Sequence, residues 1–220
     1  MITANENFKR LRITEIFYSL QGESTTVGIP TVFIRLTGCP LRCHYCDTRY
    51  AFSGGTWMEL QEIRERVQVY GTKYITITGG EPLAQKACPQ LLTELCDDGY
   101  TVSLETSGAL DVANIDPRVI KVMDLKSPSS GEAAKNRYEN VRHLSRQDQI
   151  KFVICNRADY EWARSTTNAY HLPERCEVLF APSYDELEIQ QLAEWILEDR
   201  LAVRFQIQLH KYLWGDVPGR

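Results

Sequence analysis

The sequence predicts an α/β fold built on a curved, barrel-like parallel sheet. Short, apolar, β-branched runs recur at 31–36, 74–78, 101–104, 119–123, 150–154, 177–180 and 203–207. Several are nearly continuous in apolar character, as expected of parallel strands covered by helices. Helical segments separate many of them, the alternation of an α/β chain. Polar segments also follow the runs repeatedly, at the carboxyl ends where such sheets and barrels assemble their sites.

Taken in order, the run at 31–36 leads into a cysteine-rich loop. Thr56-Trp57-Met58-Glu59 has capping-box spacing and predicts a helix over 56–69. The run at 74–78 ends in Gly79-Gly80-Glu81-Pro82, after which Pro89 suits an early helical position and Gly99 a helix end. The next two runs lead to Glu105-Thr106-Ser107-Gly108 and to Asp124-Leu125-Lys126-Ser127-Pro128. Weaker helical signals cover 135–144 and 157–168. After Ala181-Pro182-Ser183, a helix over 185–200 places Leu187, Leu192, Trp195 and Ile196 on one apolar face. The last run leads to Gln208-Leu209-His210-Lys211.

With 220 residues, 43% of them hydrophobic, the chain suits a single domain over 1–220, and no low-complexity linker divides it. A net charge of −4 argues against a nucleic-acid partner. No apolar run approaches the ~20 residues that span a bilayer. The start, residues 1–7, has neither a signal core nor a transit helix, which reads as cytoplasmic. Seven cysteines, an odd number, are expected to be reduced thiols. Cys88, Cys96, Cys155 and Cys176 are scattered and read as core packing.

Cys39, Cys43 and Cys46 are different: they form a CxxxCxxC loop with no fourth cysteine nearby. A structural zinc site closed by His44 or His210 is one reading. An iron–sulfur cluster with one iron open to a ligand is the other, and it is favoured. His44 adjoins Cys43, so joint ligation is strained, and the Gly38-Cys39-Pro40 turn exposes amides toward sulfur. Gly79-Gly80-Glu81 alone reads as a tight turn. Beside the cysteine loop, its glycines allow a ligand close to the backbone, and Glu81 offers an acceptor to a ligand ammonium.

Together these residues resemble the radical S-adenosylmethionine superfamily. Cys39, Cys43 and Cys46, with Tyr45 before the last, match its cluster motif, and Gly79-Gly80-Glu81 matches its methionine-binding motif. The resemblance implies a partial, distorted (β/α) barrel holding a 4Fe-4S cluster whose uncapped iron chelates S-adenosylmethionine. One-electron reduction by an external flavodoxin- or ferredoxin-like donor then yields a 5′-deoxyadenosyl radical. Within that superfamily, Gln21-Gly22-Glu23, Thr48 after Cys46-Asp47, and Gln208-Leu209-His210-Lys211 resemble the family of 7-carboxy-7-deazaguanine synthases, from about Arg12 to Trp214. That resemblance implies conversion of 6-carboxy-5,6,7,8-tetrahydropterin to 7-carboxy-7-deazaguanine with loss of ammonia, in queuosine-precursor biosynthesis, by a homodimer. A glycyl-radical activase shares the cluster chemistry, and an electron carrier shares the cysteines, but neither uses all of these motifs.

By position, the resemblance assigns the pterin to Leu20, Gln21, Gly22, Arg35 and Thr78. An arginine fork suits a carboxylate, although Arg35 on an alternating strand also fits a surface ion pair. S-adenosylmethionine falls to Tyr45, Cys46, Asp47, Gly80, Glu81, Ser107, Asp124, Leu125, Lys126 and Ser127. Thr48, which otherwise reads as a local cap, ligates Mg2+ in the resemblance. His210 and Lys211 are left between substrate contact, pocket closure and ordinary packing. Ser24 departs from the family pattern, which has glycine after Gln-Gly-Glu.

Overall fold

The computed structural model describes residues 9–219, so the segment 1–7 read for targeting signals lies outside the described residues. One nine-stranded sheet has the order β3-β1-β2-β4-β5-β6-β7-β8-β9. Its members are β1 (Arg10–Leu20), β2 (Pro30–Leu36), β3 (Thr56–Glu59), β4 (Tyr74–Gly79) and β5 (Thr101–Thr106), followed by β6 (Ile120–Asp124), β7 (Gln149–Ile154), β8 (Glu177–Pro182) and β9 (Arg204–Phe205). β1 runs antiparallel to both β2 and β3, and from β2 onward every neighbouring pair is parallel. The two ends of this order are not paired, so the sheet is a partial barrel.

The sequence-based elements hold with five corrections, the first being that the run at 203–207 forms only the two-residue β9 (Arg204–Phe205). β1 escaped notice because a register shift between Ile13 and Glu15 breaks its alternation. Thr56–Glu59 forms strand β3 on Arg10–Ile13, so the helix expected from Thr56 starts four residues later, as α1 (Leu60–Gln68). Glu59 takes the N-cap position without a side-chain bond, because edge pairing satisfies this backbone better than a capping box. Residues 135–144 give short 3-10 turns, Ala133–Lys135 and Tyr138–His143, in place of a helix. α4 (Ile189–Glu198) is shorter than 185–200, since Asp185 and Arg200 hold φ of 60° and 49° and cannot be helical.

Elsewhere α2 (Cys88–Asp97) carries Pro89 in its first turn and ends at Gly99 with φ 88°. α3 (Arg157–Ala169) is capped by the Asn156 side chain, and α5 (Leu209–Trp214) closes the chain. None of these helices is long and apolar enough to cross a membrane. Cys88 and Cys176 are buried as expected, whereas Cys96 and Cys155 are only half-buried.

The sheet has two unlike faces. Ile75, Ile77, Val102, Leu104, Ile150 and Phe152 point outward under the helices and are fully buried with Leu91, Leu92, Tyr160 and Leu192. The alternate residues, Thr76 and Thr78, Ser103 and Glu105, Gln149 and Lys151, are polar. They face the inside, where Thr76 Oγ1 bonds Ser103 Oγ and Thr78 Oγ1 donates to Glu105.

The loop between β1 and β2 spans this polar interior. It leaves β1 at one side of the sheet and is held from the other. Thr25 N donates to Gln149 Oε1, and the Gln206 amide donates to the Ser24 carbonyl and accepts its N–H, both at 2.8 Å. Leu209 N donates to the Gly22 carbonyl. The turn places Ser24 at φ 67°, a backbone conformation that glycine adopts without strain, in keeping with the glycine expected there. Ser24 offsets the strain by bonding Thr26 Oγ1.

Replacing Ser24 by valine, whose branched side chain tolerates this φ poorly, is expected to cost about 2 kcal/mol. Ser24→Gly is expected to stay within about 1 kcal/mol of the parent. Urea unfolding of both variants tests this, and equal stabilities would contradict it.

Candidate active site

A cavity of about 380 Å³ opens at the carboxyl ends of the strands, a size that suits small ligands. Its lining gathers Leu20, Gln21, Gly22, Arg35, Cys39, Cys43, Tyr45, Cys46, Asp47, Thr48, Thr78, Gly80, Ser107, Asp124 and Lys126, nearly the whole set expected from sequence.

The cysteine loop leaves β2 through Gly38, at φ 99°, whose N–H donates to the Ala51 carbonyl. Arg42 N donates to Glu132 Oε1, and His44 N to the Ser130 carbonyl, tying the loop to the turn after β6. The Arg42 guanidinium returns to the carbonyls of Cys39 and Leu41, and Arg49 to that of His44. Leu41 N points at Cys39 Sγ, 3.4 Å away, as the Gly-Cys-Pro turn suggested. Burial raises the Cys39 thiol, and raises Cys43 to about 11, so a metal must displace their protons. Among the described residues, no three His, Cys, Asp or Glu side chains converge closely enough to grip one metal ion.

Gly79 is required by the end of β2 and Gly80 by the start of the cysteine loop. A Cβ on Gly79, at φ 146°, would overlap the Leu36 backbone, and one on Gly80 would overlap the Gly38 carbonyl and Cys39 Cβ. Gly80 N donates to the Leu36 carbonyl and Glu81 N to that of Gly38. The two motifs, far apart in sequence, form one backbone unit.

Three expected site residues do not line the cavity. Glu81 is fully buried, and its carboxylate accepts from Leu83 N, Thr106 Oγ1, Ser107 N and Ser107 Oγ, leaving no lone pair for a ligand ammonium. Leu125 belongs to the outer core, and its N–H donates to the Lys151 carbonyl. Ser127 is wholly buried. All three support the site from behind.

The cavity is strongly charged. Asp124 Oδ2 lies 3.0 Å from Lys126 Nζ and 3.7 Å from Lys151 Nζ, and Lys151 also pairs with Glu23. Burial opposes each charge, but opposite partners outweigh it. Lys126 and Lys151 are thereby raised, while Glu23, beside Lys151, and Asp47, beside Lys211, are lowered. Arg35 has the ion pair its strand register allows, Nε to Glu15 Oε1 at 2.7 Å, yet still lines the cavity. Thr48 makes no side-chain capping bond, and its hydroxyl lies 3.8 Å from Cys46 Sγ. The ring of His210 fills the space beside Gly22, and Lys211 pairs with Asp47 at 2.9 Å.

Glu23, Glu105, Lys151 and Gln208 also line the cavity; the first two and Gln208 stand in motifs quoted from the sequence without an assigned role, and Lys151 was not singled out. For Glu105 and Lys151 a signal existed, a lone charge at or inside an apolar strand run (Leu104-Glu105, Ile150-Lys151-Phe152).

The fit to the implied groups is good. The lining offers three free thiols, and Asp124 Oδ1 is buried without a partner among the described residues. Buried polar atoms of that kind are ordinarily bonded, so they suit a polar ligand. Fold and site together define a radical S-adenosylmethionine enzyme, and the model of the Radical SAM superfamily matches residues 33–124. Over 93% of its length the chain is 45% identical to the 7-carboxy-7-deazaguanine synthase of Chlorobaculum tepidum, covering 94% of that protein. It is 43% identical to that of Koribacter versatilis, with 93% and 97% covered. The chain belongs to the 7-carboxy-7-deazaguanine synthase family. The fold matches the crystal structure of QueE from Escherichia coli at TM-score 0.76 and 21% identity, covering 96% of this chain and 100% of that one. Streptococcus suis SuiB bound to S-adenosylmethionine shares the fold at TM-score 0.56 and 13% identity, with 78% and 45% covered.

Gly80→Ala should force the cysteine loop away and cost about 1–3 kcal/mol, with less iron retained per chain after reconstitution. Glu81→Gln replaces one acceptor oxygen by a donor and should cost about 2 kcal/mol in urea unfolding. Wild-type stability in Glu81→Gln would contradict the buried-acceptor role.

Proposed function

We propose that residues 1–220 form one domain, with its core at 12–214, that contracts the ring of 6-carboxy-5,6,7,8-tetrahydropterin to 7-carboxy-7-deazaguanine and releases ammonia. The observation that carries this reading is the convergence of Cys39, Cys43 and Cys46, the Gly79-Gly80 turn, Gln21, Arg35 and Thr78 on one small cavity. When bound, the reduced 4Fe-4S cluster and S-adenosylmethionine supply the radical that removes and later returns one substrate hydrogen. The chain's task is to hold one carbon–hydrogen bond against that radical and to keep water out.

In this reading the three thiolates hold the cluster and leave one iron to S-adenosylmethionine. Tyr45, Cys46, Asp47, Gly80, Ser107, Asp124 and Lys126 surround that cofactor, and Glu81, Leu125 and Ser127 brace the segments that touch it. Leu20, Gln21, Gly22, Arg35 and Thr78 receive the pterin. Arg35 meets its carboxylate, and Glu105 fixes the Thr78 hydroxyl, which it accepts at 2.7 Å. Thr48 takes one position on Mg2+, with substrate oxygens and water in the others, an ordinary set for this ion. Its hydroxyl makes no capping bond and lines the cavity beside Cys46 Sγ, which supports that role. An external flavodoxin- or ferredoxin-like protein delivers the electron. The enzyme works in the cytoplasm as a homodimer. Free cysteines throughout support the reducing compartment. Exposed Tyr18, Trp57 and Tyr70 on and beside the β1–β3 edge support a second copy.

Anaerobic cluster reconstitution, followed by reductant, S-adenosylmethionine, Mg2+ and the carboxytetrahydropterin, is expected to yield 7-carboxy-7-deazaguanine by mass. A fully loaded enzyme that makes none would overturn the reading. Cys43→Ala should abolish turnover. Thr48→Ala should keep its cluster but need about tenfold more Mg2+, the effect of one lost ligand of about 1.4 kcal/mol. An unchanged Mg2+ titration removes Thr48 from the metal.

A further inference from the structure

Glu23 follows the substrate loop directly, and its N–H donates to Gln21 Oε1 at 3.2 Å. Its carboxylate is nearly buried and divides between two long-range partners. Oε2 pairs with Lys151 Nζ on β7, and Oε1 accepts from Gln208 Nε2 at 2.9 Å. Each partner leads onward into the other half of the cavity. Lys151 Nζ lies 3.7 Å from Asp124, which in turn lies 3.0 Å from Lys126, at the end of β6. Gln208 Nε2 also reaches Asp47 Oδ2 at 3.4 Å, in the cysteine loop, where Lys211 holds the same oxygen. One carboxylate thus joins the loop bearing Gln21 and Gly22 to both segments assigned to S-adenosylmethionine, and neither bridge involves a covalent neighbour.

We propose that Glu23 is a positioning residue that couples the pterin half of the site to the S-adenosylmethionine half, so that each ligand raises the affinity of the other. This inference rests on the function proposed above. Its physical basis is the shared cost of ordering. A ligand engaging Asp124 or the Asp47 segment stiffens one end of a charged network whose other end is the substrate loop. The second ligand then meets a loop already held in place. Linkage makes the effect equal in both directions. A carboxylate suits the task, because its two oxygens can each hold a partner in a charged hydrogen-bond network. A purely structural role would weaken both ligands alike and leave their mutual effect intact.

The experiment is calorimetric titration of the anaerobic, cluster-loaded enzyme with 6-carboxytetrahydropterin, with and without saturating S-adenosylmethionine, and with no reductant so that nothing turns over. In the wild type, S-adenosylmethionine is expected to tighten pterin binding by about fivefold or more. In Glu23→Gln that ratio should fall below about twofold, while S-adenosylmethionine alone binds within about threefold of wild type. Lys151→Arg, which keeps the charge, should retain the ratio. Gln208→Ala, which cuts one bridge without changing any charge, should lower it. If Glu23→Gln fails to load its cluster, Gln208→Ala decides, and an undiminished ratio there overturns the proposal. A full ratio in Glu23→Gln overturns it as well. Wild-type enzyme that binds the pterin equally with and without S-adenosylmethionine overturns the coupling alone. Wild-type enzyme that binds no pterin overturns the functional reading beneath it.

Discussion

The backbone of Gly80 lies against Gly38 and Cys39 so closely that a single methyl group would part them. That contact places the cysteine loop. It joins the end of β4 to the start of the cysteine loop, and the Glu81 N–H bond to the Gly38 carbonyl extends the join by one residue. Glu81 then sends its carboxylate across to Thr106 and Ser107 at the end of β5. Three consecutive strand ends are thereby locked together by two missing side chains and one buried acid. The acid earns its position by satisfying donors that the strand ends leave over, which is costly to undo in a buried setting.

The β1–β2 loop solves a different problem. A parallel sheet that curls without closing leaves its interior open at the seam, and polar side chains there need partners. The loop supplies them by crossing the interior. The Gln206 amide bonds the Ser24 backbone through both its donor and its acceptor, much as a neighbouring strand would, and Gln149 does the same for Thr25 through its N–H and hydroxyl. Ser24 and Thr25 therefore take their partners from the far side of the sheet, while Gln21 Nε2 donates to Thr76 Oγ1 on β4 nearby.

Much of this was legible in the chain because strand ends and motifs coincide. The runs before the cysteine loop, before Gly79 and before Asp124 are true strands of one parallel sheet, and their trailing segments meet as expected. What was missed has physical causes. β1 hides behind a register shift, and Thr56 has two plausible uses, of which tertiary pairing chose the strand. The Gly-Gly-Glu motif reads equally well as a ligand contact or as an internal brace. Only the surroundings of Glu81 separate the two for its side chain. Lys151 and Glu23 are invisible as a pair, because 128 positions separate them and their meeting depends on the loop crossing the interior.

The unlike faces of the sheet also limit how this protein can change. On the helix-covered face, Ile77, Leu104 and Phe152 pack as an ordinary core, where volume-conserving exchanges are tolerated. The inner face carries Thr78, Glu105 and Lys151 at the alternate positions, so a hydrophobic exchange there breaks a side-chain hydrogen bond or strands a charge. Repacking of the sheet is therefore better tolerated on its helix-covered face than on its inner one. Adaptation to a hotter habitat would be written in the residues under α1 to α4, while the opposite register of the same strands stays fixed by what the cavity must recognise.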